Sequence, residues 1–195
     1  MGKIVCIMGK SASGKDTVYQ ALLKTNKHNL KKVIPYTTRP IRTGEQNGRE
    51  YYFCTNEEAE KMSQDGKIIE LRGYNTVNGL WQYFTADDGQ ISLDTDNYLI
   101  VGTLESYLKM KEYFGDENLL PVYIQLDDGE RLQRALSRER EQLAPGYAEM
   151  CRRYLADEAD FSEKKILSAG ITYRFENVKL EDTIRKIEDY LANTL

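Results

Sequence analysis

The segment GKSASGK, residues 9–15, combines glycines, small polar residues and a lysine at a spacing that suits the binding of phosphate groups. Glycines allow backbone N–H groups to surround phosphate oxygens, and Lys15 can reach the β- and γ-phosphates of a nucleotide. The apolar run KIVCIM before it predicts a buried strand, and the pattern from Lys15 to about Lys24 predicts a helix. We therefore interpret the segment as a phosphate loop. Its predicted nucleotide-binding residues are Gly9, Ser11, Ala12, Ser13, Gly14, Lys15, Asp16 and Thr17.

Asp16 follows Lys15 at the position where loops of the G-x-x-x-x-G-K-[ST] type carry a hydroxyl. Its carboxylate adds negative charge beside a triphosphate, and a magnesium ion, bound directly or through water, would offset that charge. Thr17 would then supply the hydroxyl one position later. Alternatively, Asp16 is an N-terminal helix residue stabilised by the helix dipole. The sequence leaves both interpretations open, and Asp16 is the predicted metal ligand.

A second chemical signal lies in YTTRPIRTGEQNGREYYF, residues 36–53. Arg39 and Arg42 can bracket a phosphate with planar, bidentate donors, and the hydroxyl of Tyr51 can donate to the same anion. Further along, Glu70 can accept hydrogen bonds from the imino and amino groups of a guanine edge. An arginine pair and a strand-edge glutamate are ordinary features individually, but their order favours an acceptor-phosphate site followed by a base site.

Other patterns predict the elements that position these residues. NYLIVG and LLPVYIQL are further buried-strand candidates, and their alternation with helical patterns predicts an α/β fold. A charged helical pattern that is interrupted at Pro145 and Gly146 and then resumes suits a hinged lid. We predict a single domain, 1–195, made of a core (1–33, 89–127 and 163–195), a β-rich insertion (34–88) and a lid (128–162).

The segments GKSASGK, TTRPIRTGE, GREYYF and IIELRG follow the order and approximate separations of the guanylate kinase family of nucleoside monophosphate kinases, which this chain resembles over nearly its whole length. The resemblance implies a P-loop core with a parallel sheet flanked by helices, a nucleoside-monophosphate-binding insertion and a helical lid. It implies phosphoryl transfer from ATP to a nucleoside monophosphate, with GMP as the expected acceptor and Mg²⁺ as cofactor. It assigns Arg39, Arg42 and Tyr51 to the acceptor phosphate and Glu70 to the base.

The resemblance weakens after IIELRG. The family has a compact Asn-x-Tyr-Gly-Thr/Ser segment there, whereas this chain has the longer YNTVNGLWQYFT, residues 74–85. Tyr83 and Thr85 are the best counterparts and join the predicted substrate-binding residues. Trp81 either packs in the core of the insertion, which we favour, or reshapes the acceptor pocket. Pro35 stands where the family commonly presents a base-contacting serine, so one polar contact is lost.

A second departure lies at NYLIVGTLESY, where the family usually has an Asp-Ile-Asp segment after its strand. Gly102 and Leu104 occupy the two aspartate positions. The exchange removes a carboxylate expected near the base or the metal. Glu105 and Asp16 are the candidate replacements, and we predict that Asp16 shares the task of organising magnesium.

On the predicted lid helix, three arginines lie near one face, where they can close over ATP, and three apolar residues can face the body. Arg138 and Arg153 best match the family's lid arginines, and with Lys15 they are the predicted catalytic residues. An exposed ion pair between Glu130 and Arg134 is the alternative use of this pattern. The arginines are Arg131, Arg134 and Arg138, and the apolar residues are Leu132, Ala135 and Leu136.

Two isolated polar residues need separate interpretations. Asn177, in RFENV, resembles a late family position near the ATP base and completes the predicted ATP-binding set, although it could equally support a loop. His28, the single histidine, lies in the polar stretch KTNKHNLKK. That setting predicts a solvated surface residue rather than a catalytic base.

Composition limits the partners. A net charge of −4 argues against general binding of a nucleic acid polymer, whereas small phosphates suit a local basic patch. The cysteines Cys6, Cys54 and Cys151 lack metal-site or redox spacing, which favours a reducing cytoplasm. Neither a signal-peptide layout nor an apolar run of roughly 18 residues suggests export or a membrane span. The sequence does not predict an oligomeric state.

Two alternative functions stay open at this point. One is a related kinase with a different nucleotide acceptor, which the changes at Pro35, Gly102 and residues 74–85 motivate. The other is a noncatalytic guanylate-kinase-like domain that binds a phosphorylated or acidic protein partner. The phosphate-loop glycines and Lys15 argue against the second alternative.

Overall fold

The computed structural model describes residues 2–76 and 79–195, and its larger sheet organises the core. The strands of this sheet are β1 (Ile4–Met8), β2 (Leu30–Lys32), β7 (Asn97–Val101), β8 (Leu119–Gln125) and β9 (Arg174–Glu176). They are all parallel, in the order β2-β7-β1-β8-β9. All five residues of the central strand are buried, because a parallel sheet covered on both faces favours a continuous apolar run.

The described residues also form helices, which are α1 (Lys15–Thr25), α2 (Asn56–Gln64), α3 (Leu104–Phe114), α4 (Asp128–Arg140), α5 (Tyr147–Asp160), α6 (Glu163–Ser168) and α7 (Leu180–Thr194), with a short 3-10 helix at Asp116–Asn118. Helix α2 packs in a separate hydrophobic cluster with Phe84 and Ala86, whereas others cover both faces of the larger sheet. Side chains of β1 alternate between two hydrophobic clusters, one with α1 and α7 and the other with α3. The predicted α/β fold, a parallel sheet flanked by helices, is therefore confirmed.

A second, smaller sheet lies within residues 36–86. Its strands are β3 (Tyr36–Thr37), β4 (Tyr52–Phe53), β5 (Ile68–Thr76) and β6 (Gly79–Ala86). The order is β4-β3-β6-β5, and β3 pairs parallel to β4 and antiparallel to β6. The sheet falls inside the predicted insertion, whose boundaries stay a prediction.

The expanded segment 74–85 lengthens the β5–β6 hairpin, in which Tyr74 pairs with Trp81. Val77 and Asn78 of this segment lie outside the described residues. Phe84 is fully buried and stacks on Tyr36 at 5.2 Å between ring centroids. Trp81 is only half-buried and lines a cavity, so the prediction that it packs in the core is wrong. The reason is that β3 pairs with Tyr83 and Phe84, and Trp81 lies beyond that pairing.

Helices α4 and α5 pack against each other in the predicted lid region. The prediction that Leu132 faces the body is wrong, because 37% of its surface is exposed, whereas Ala135 is buried as expected. Arg131 takes the inward position with only 2% exposed. It can be buried because Asp128 and Glu158 neutralise its guanidinium, at 2.7 and 2.8 Å.

Two smaller observations complete the fold. His28 is half-buried rather than solvated, because it follows α1 and lies close to Glu188 of α7. Its Nε2 atom has no hydrogen-bond partner among residues 2–76 and 79–195. In the same part of the chain, no helix is both long and apolar enough to cross a membrane.

Candidate active site

The phosphate loop connects the end of β1 to the start of α1. Gly14 is the N-cap of α1 and has a left-handed φ of 89°, which favours glycine. A Cβ atom there would lie 2.3 Å from Nδ2 of Asn177, so this position has no room for a side chain. The side chain of Ser13 is fully buried, and its hydroxyl has no hydrogen-bond partner among the described residues.

Asn177 supports the loop from behind. Its Nδ2 donates to the carbonyl oxygen of Ser13 at 2.8 Å, and its side chain is buried. Arg134 in turn donates to the backbone oxygen of Asn177 at 3.2 Å. The structure thus shows the loop-supporting role of Asn177, while its predicted contact with the ATP base stays a prediction.

A cavity of about 700 Å³ lies between the phosphate loop, the edge of the large sheet and the small sheet. Four cationic and two anionic side chains line it, so its charge favours an anionic ligand. The cationic residues are Lys15, Lys32, Arg49 and Arg72, and the anionic residues are Asp16 and Glu50. We call this space the acceptor cavity.

The structure brings only part of the predicted acceptor-phosphate set to this cavity. Tyr51 and Tyr83 line it. Burial raises the pKa of Tyr51, so its hydroxyl stays protonated and able to donate. Arg39 is 3% exposed and binds Glu45 with two hydrogen bonds of 2.9 and 3.0 Å.

The remaining predicted acceptor residue, Arg42, is exposed and does not line the cavity. Its backbone N–H donates to the Glu45 carboxylate at 2.8 Å. Hydrogen bonding by Arg39 lowers the pKa of Glu45, so this carboxylate stays charged. The loop that carries both arginines is therefore organised around Glu45.

The predicted base-recognition residues form a buried cluster. Glu70 is 2% exposed and accepts a hydrogen bond from the Thr85 hydroxyl at 2.9 Å. It also accepts from Nε and Nη2 of Arg72, at 3.0 and 3.2 Å. Arg72 was not identified from the sequence, although the alternation of a strand places it on the same face as Glu70.

The site contains other residues that the sequence analysis missed. Arg49 and Lys32 line the acceptor cavity, and the ammonium group of Lys32 donates to the backbone oxygen of Arg49. The position of Arg49 in GREYYF, two residues before Tyr51, was an available signal. A β-bridge between Asn47 and Tyr51 closes the loop that carries it.

The lid helices approach the phosphate loop. Arg138 and Arg153 line a small space of about 20 Å³ together with Ser11, and Arg153 donates to the Ser11 hydroxyl at 3.3 Å. The backbone N–H of Ser11 donates to the Asp157 carboxylate at 2.7 Å, and its carbonyl accepts from Arg131 at 3.2 Å. The two predicted catalytic arginines of the lid, Arg138 and Arg153, thus lie beside the phosphate loop. The Asp157 carboxylate lines the same space and binds the Ser11 amide of that loop.

The predicted metal ligand is placed at the start of α1. Asp16 is exposed in the first helical turn and lines the acceptor cavity beside Lys15. Glu105, the other candidate, instead forms an ion pair with Lys109 at 2.8 Å and does not line that cavity. Within residues 2–76 and 79–195, no group of three or more His, Cys, Asp or Glu side chains could hold a metal ion. One carboxylate is still compatible with Mg²⁺, which usually binds few protein ligands together with water and substrate phosphates.

Comparison with known proteins agrees with this arrangement. Residues 1–83 match the family described as "Guanylate kinase". The guanylate kinase of Anaplasma phagocytophilum is 26% identical over 200 residues, covering 100% of this chain and 86% of that protein. The guanylate kinase of Porphyromonas gingivalis is 31% identical over 125 residues, covering 61% of this chain and 63% of that protein.

A solved structure extends the similarity to the fold. The crystal structure of guanylate kinase from Anaplasma phagocytophilum superposes with a TM-score of 0.69 at 23% identity. The match covers 100% of this chain and 87% of that one. The chain is therefore similar in sequence to guanylate kinases, through residues 1–83 for the family and over its full length for one relative, and the solved structure shows the same fold.

Proposed function

We propose that this protein transfers the γ-phosphoryl group of ATP to a nucleoside monophosphate, with GMP as the acceptor and GDP and ADP as products. The observation that carries the proposal is the acceptor cavity, which joins Lys15 at the end of the phosphate loop to Tyr51 and Tyr83 of the small sheet. The phosphates of the donor and of the acceptor can therefore come into contact within one cavity. In phosphoryl transfer, the protein contributes mainly by aligning the reactants and neutralising charge.

In the reaction, an oxygen of the acceptor phosphate attacks the γ-phosphorus, and the bond from that phosphorus to the β,γ-bridging oxygen breaks. ADP leaves with the electron pair of that bond. Lys15 and the loop amides stabilise the charge that develops on the donor phosphates. No covalent enzyme intermediate is required.

On the acceptor side, the Tyr51 hydroxyl donates to the monophosphate, and Arg49 and Lys32 add positive charge to the same cavity. Arg39 and Arg42 act on the same phosphate when their loop moves toward it. In the present conformation Glu45 holds Arg39, so binding of the phosphate would exchange one anionic partner for another.

Lid closure is the second movement in the proposal. Arg138 and Arg153 line a small space beside Ser11 of the phosphate loop, and in this proposal they bind the donor phosphates when the lid closes. The Asp157 carboxylate accepts a hydrogen bond from the Ser11 amide, and an anionic phosphate would bind the same amide. In this proposal, binding of ATP therefore requires the hydrogen bond between Asp157 and the Ser11 amide to break.

Asp16 and Thr17 would hold Mg²⁺ together with the donor phosphates. The ion supplies neutralisation of the β- and γ-phosphate charges when it is bound. Asp16→Ala should raise the Mg²⁺ concentration required for half-maximal rate, whereas unchanged magnesium dependence would contradict the assignment. Asp16→Asn is the matched variant, because it keeps the size of the side chain and removes its charge.

We further infer a cytoplasmic location, with ATP and a nucleoside monophosphate as partners rather than a nucleic acid polymer or a membrane. The reduced cysteines support this inference. Cys6, Cys54 and Cys151 are all free thiols, and Cys151 is exposed.

The test is product formation with Mg-ATP and a panel of GMP, dGMP, AMP, CMP and UMP. We expect GDP as the preferred ribonucleotide product, with activity lost in Lys15→Ala. Lys24→Ala is the matched control, because Lys24 is an exposed lysine in the last turn of the same helix. A different preferred product would show that the acceptor is a nucleotide other than GMP. The absence of product with every monophosphate would refute the kinase proposal.

A further inference from the structure

Glu70, the residue expected to bind the base, has its carboxylate already engaged. Both carboxylate oxygens accept from Arg72, at 3.0 and 3.2 Å, and one of them also accepts from Thr85 at 2.9 Å. Only 1% of the Glu70 side chain is exposed. A guanine edge that donates hydrogen bonds therefore meets no free carboxylate at this position.

Arg72 stands between Glu70 and the space where the acceptor would bind. Its side chain is 17% exposed and lines the acceptor cavity, whereas Glu70 is not among the lining residues. The two hydrogen bonds to Glu70 use Nε–H and one N–H of Nη2. A guanidinium has five N–H groups, so three remain, two of them on Nη1. Among the described residues, these three have no hydrogen-bond partner.

The opposite walls of the cavity do not supply a replacement for Glu70. Pro35 lines the cavity and has no backbone N–H or polar side-chain atom to offer. Gly102 also lines it, and a Cβ there would lie 2.5 Å from the Ser106 hydroxyl and 3.3 Å from the Cys6 sulfur. No carboxylate can be accommodated at that position without moving its neighbours.

The carboxylates that do line the cavity have other roles. Glu50 accepts from the backbone N–H of Gln46 at 2.8 Å and is paired with Arg49. Asp16 lies beside Lys15 at the phosphate end. Of the described charged side chains that line the cavity, the one that adjoins Glu70 is therefore a donor, the Arg72 guanidinium.

We infer that Arg72 is a specificity-determining residue that binds the acceptor base through two hydrogen-bond acceptor atoms of the base. This inference rests on the proposed function and specifies how its acceptor is recognised. The N7 and O6 atoms of guanine fit a guanidinium fork, whereas adenine presents an amino donor in place of O6. Glu70 acts as a positioning residue, because its two hydrogen bonds fix the plane of the Arg72 guanidinium.

This mode of recognition differs from the one that a free Glu70 would provide. A carboxylate would bind the N1–H and 2-amino groups of guanine, so it would depend on the 2-amino group and ignore N7. A guanidinium fork depends on N7 and O6 and ignores the 2-amino group. Two analogues separate the modes: inosine monophosphate lacks the 2-amino group, and 7-deaza-GMP lacks the N7 acceptor.

The experiment measures the equilibrium binding of GMP, inosine monophosphate and 7-deaza-GMP to the unmodified protein by calorimetry, and then their turnover with Mg-ATP. We expect inosine monophosphate to bind within about threefold of GMP and 7-deaza-GMP to bind about tenfold to a hundredfold more weakly. The reverse order would overturn the inference, because it requires a free Glu70. Equal binding of all three, or binding of none, would overturn it as well.

A variant adds an independent readout. Arg72→Met removes the donors, keeps much of the volume and leaves Glu70 with Thr85 as its hydrogen-bond partner. We expect the discrimination against 7-deaza-GMP to disappear and a preference for GMP over inosine monophosphate to appear. If the variant keeps the parent's order, Arg72 does not read the base. If the variant does not fold, the analogue series on the unmodified protein still decides.

Binding and turnover together separate this inference from the proposed function. The expected order of binding without any product would refute the kinase activity alone. Product formation in which inosine monophosphate is poor and 7-deaza-GMP is good would refute the role of Arg72 alone.

Discussion

Gly14→Ala should disturb the phosphate loop in two ways that can be separated. The left-handed φ of 89° costs a residue with a Cβ atom about 1–2 kcal/mol. The new Cβ would also lie 2.3 Å from Nδ2 of Asn177, so Asn177 must move and lose its buried 2.8 Å hydrogen bond to Ser13. Loss of that bond costs about 1–3 kcal/mol. The expected decrease in the free energy of unfolding is therefore about 2–5 kcal/mol in total.

The matched control is Gly89→Ala. Gly89 has a φ of 85°, and a Cβ atom there would meet nothing within 4 Å. Both substitutions have the same effect on the entropy of the unfolded chain, so the difference between them reports the contact with Asn177. Urea unfolding with linear extrapolation measures both free energies. We expect Gly14→Ala to be the more destabilising by about 1–3 kcal/mol.

Equal destabilisation of the two variants would refute this reasoning, because the Asn177 contact would then contribute nothing. A double-mutant cycle provides a second check. Asn177→Ala removes the group that the new Cβ would meet, so Gly14→Ala should cost less in that background than in the parent protein. Additive effects would mean that the two residues do not interact.

The remaining predictions concern buried charge and thiol reactivity. Arg131→Ala should lower the free energy of unfolding by about 3–5 kcal/mol in urea titrations, because it leaves carboxylates without their buried partner, and a loss below about 1 kcal/mol would contradict this. An aromatic disulfide reagent should label the exposed Cys151 in the native protein and Cys6 only after unfolding, because burial raises the pKa of Cys6 to about 12. Burial is the largest single influence on the Glu188 carboxyl and raises its pKa, but the hydrogen bonds from Lys27 and Thr25 and the charge of Lys27 together outweigh burial and lower the pKa. Its contribution to stability is present above the ordinary pKa of a glutamate and is lost as the pH falls through the lowered value, so Glu188→Gln should flatten the acid limb of stability against pH.

The phosphate loop was predictable because its signal is local. A buried strand, the glycine spacing and the following helix are contiguous in GKSASGK and its flanks, and the structure has all three. The predicted strands at 97–102 and 119–126 were recognisable for a similar reason, since each is a short apolar run inside a parallel sheet. The local sequence pattern was sufficient to predict a strand or helix wherever one contiguous segment forms that element.

Side-chain pairing was not predictable in the same way. Arg39 was assigned to the acceptor phosphate, yet its partner in this conformation is Glu45, and Arg72 was missed although it holds Glu70. In both cases the residue types were visible, but the pairing depends on burial and on the geometry of the folded loop or strand. Arg131 shows the same limit, because the sequence grouped it with the arginines that can close over ATP, whereas its carboxylate partners hold it in a buried position.

Several differences between this chain and the guanylate kinases that it resembles lie where the acceptor base would bind, at Pro35, Gly102 and residues 74–85. Every nucleoside monophosphate brings the same phosphate, so the groups that neutralise and align it must satisfy one geometry whatever the acceptor is. The bases do not share a common pattern of hydrogen-bonding groups. A protein donor therefore selects a base that presents acceptors, and a protein acceptor selects a base that presents donors. Arg72 is two residues from Glu70 on the same strand, and it lines the cavity with hydrogen-bond donors, whereas Glu70 does not line it. In the proposed mode of recognition, a single side chain therefore decides which base is accepted, while the phosphate loop acts on the phosphates of any acceptor.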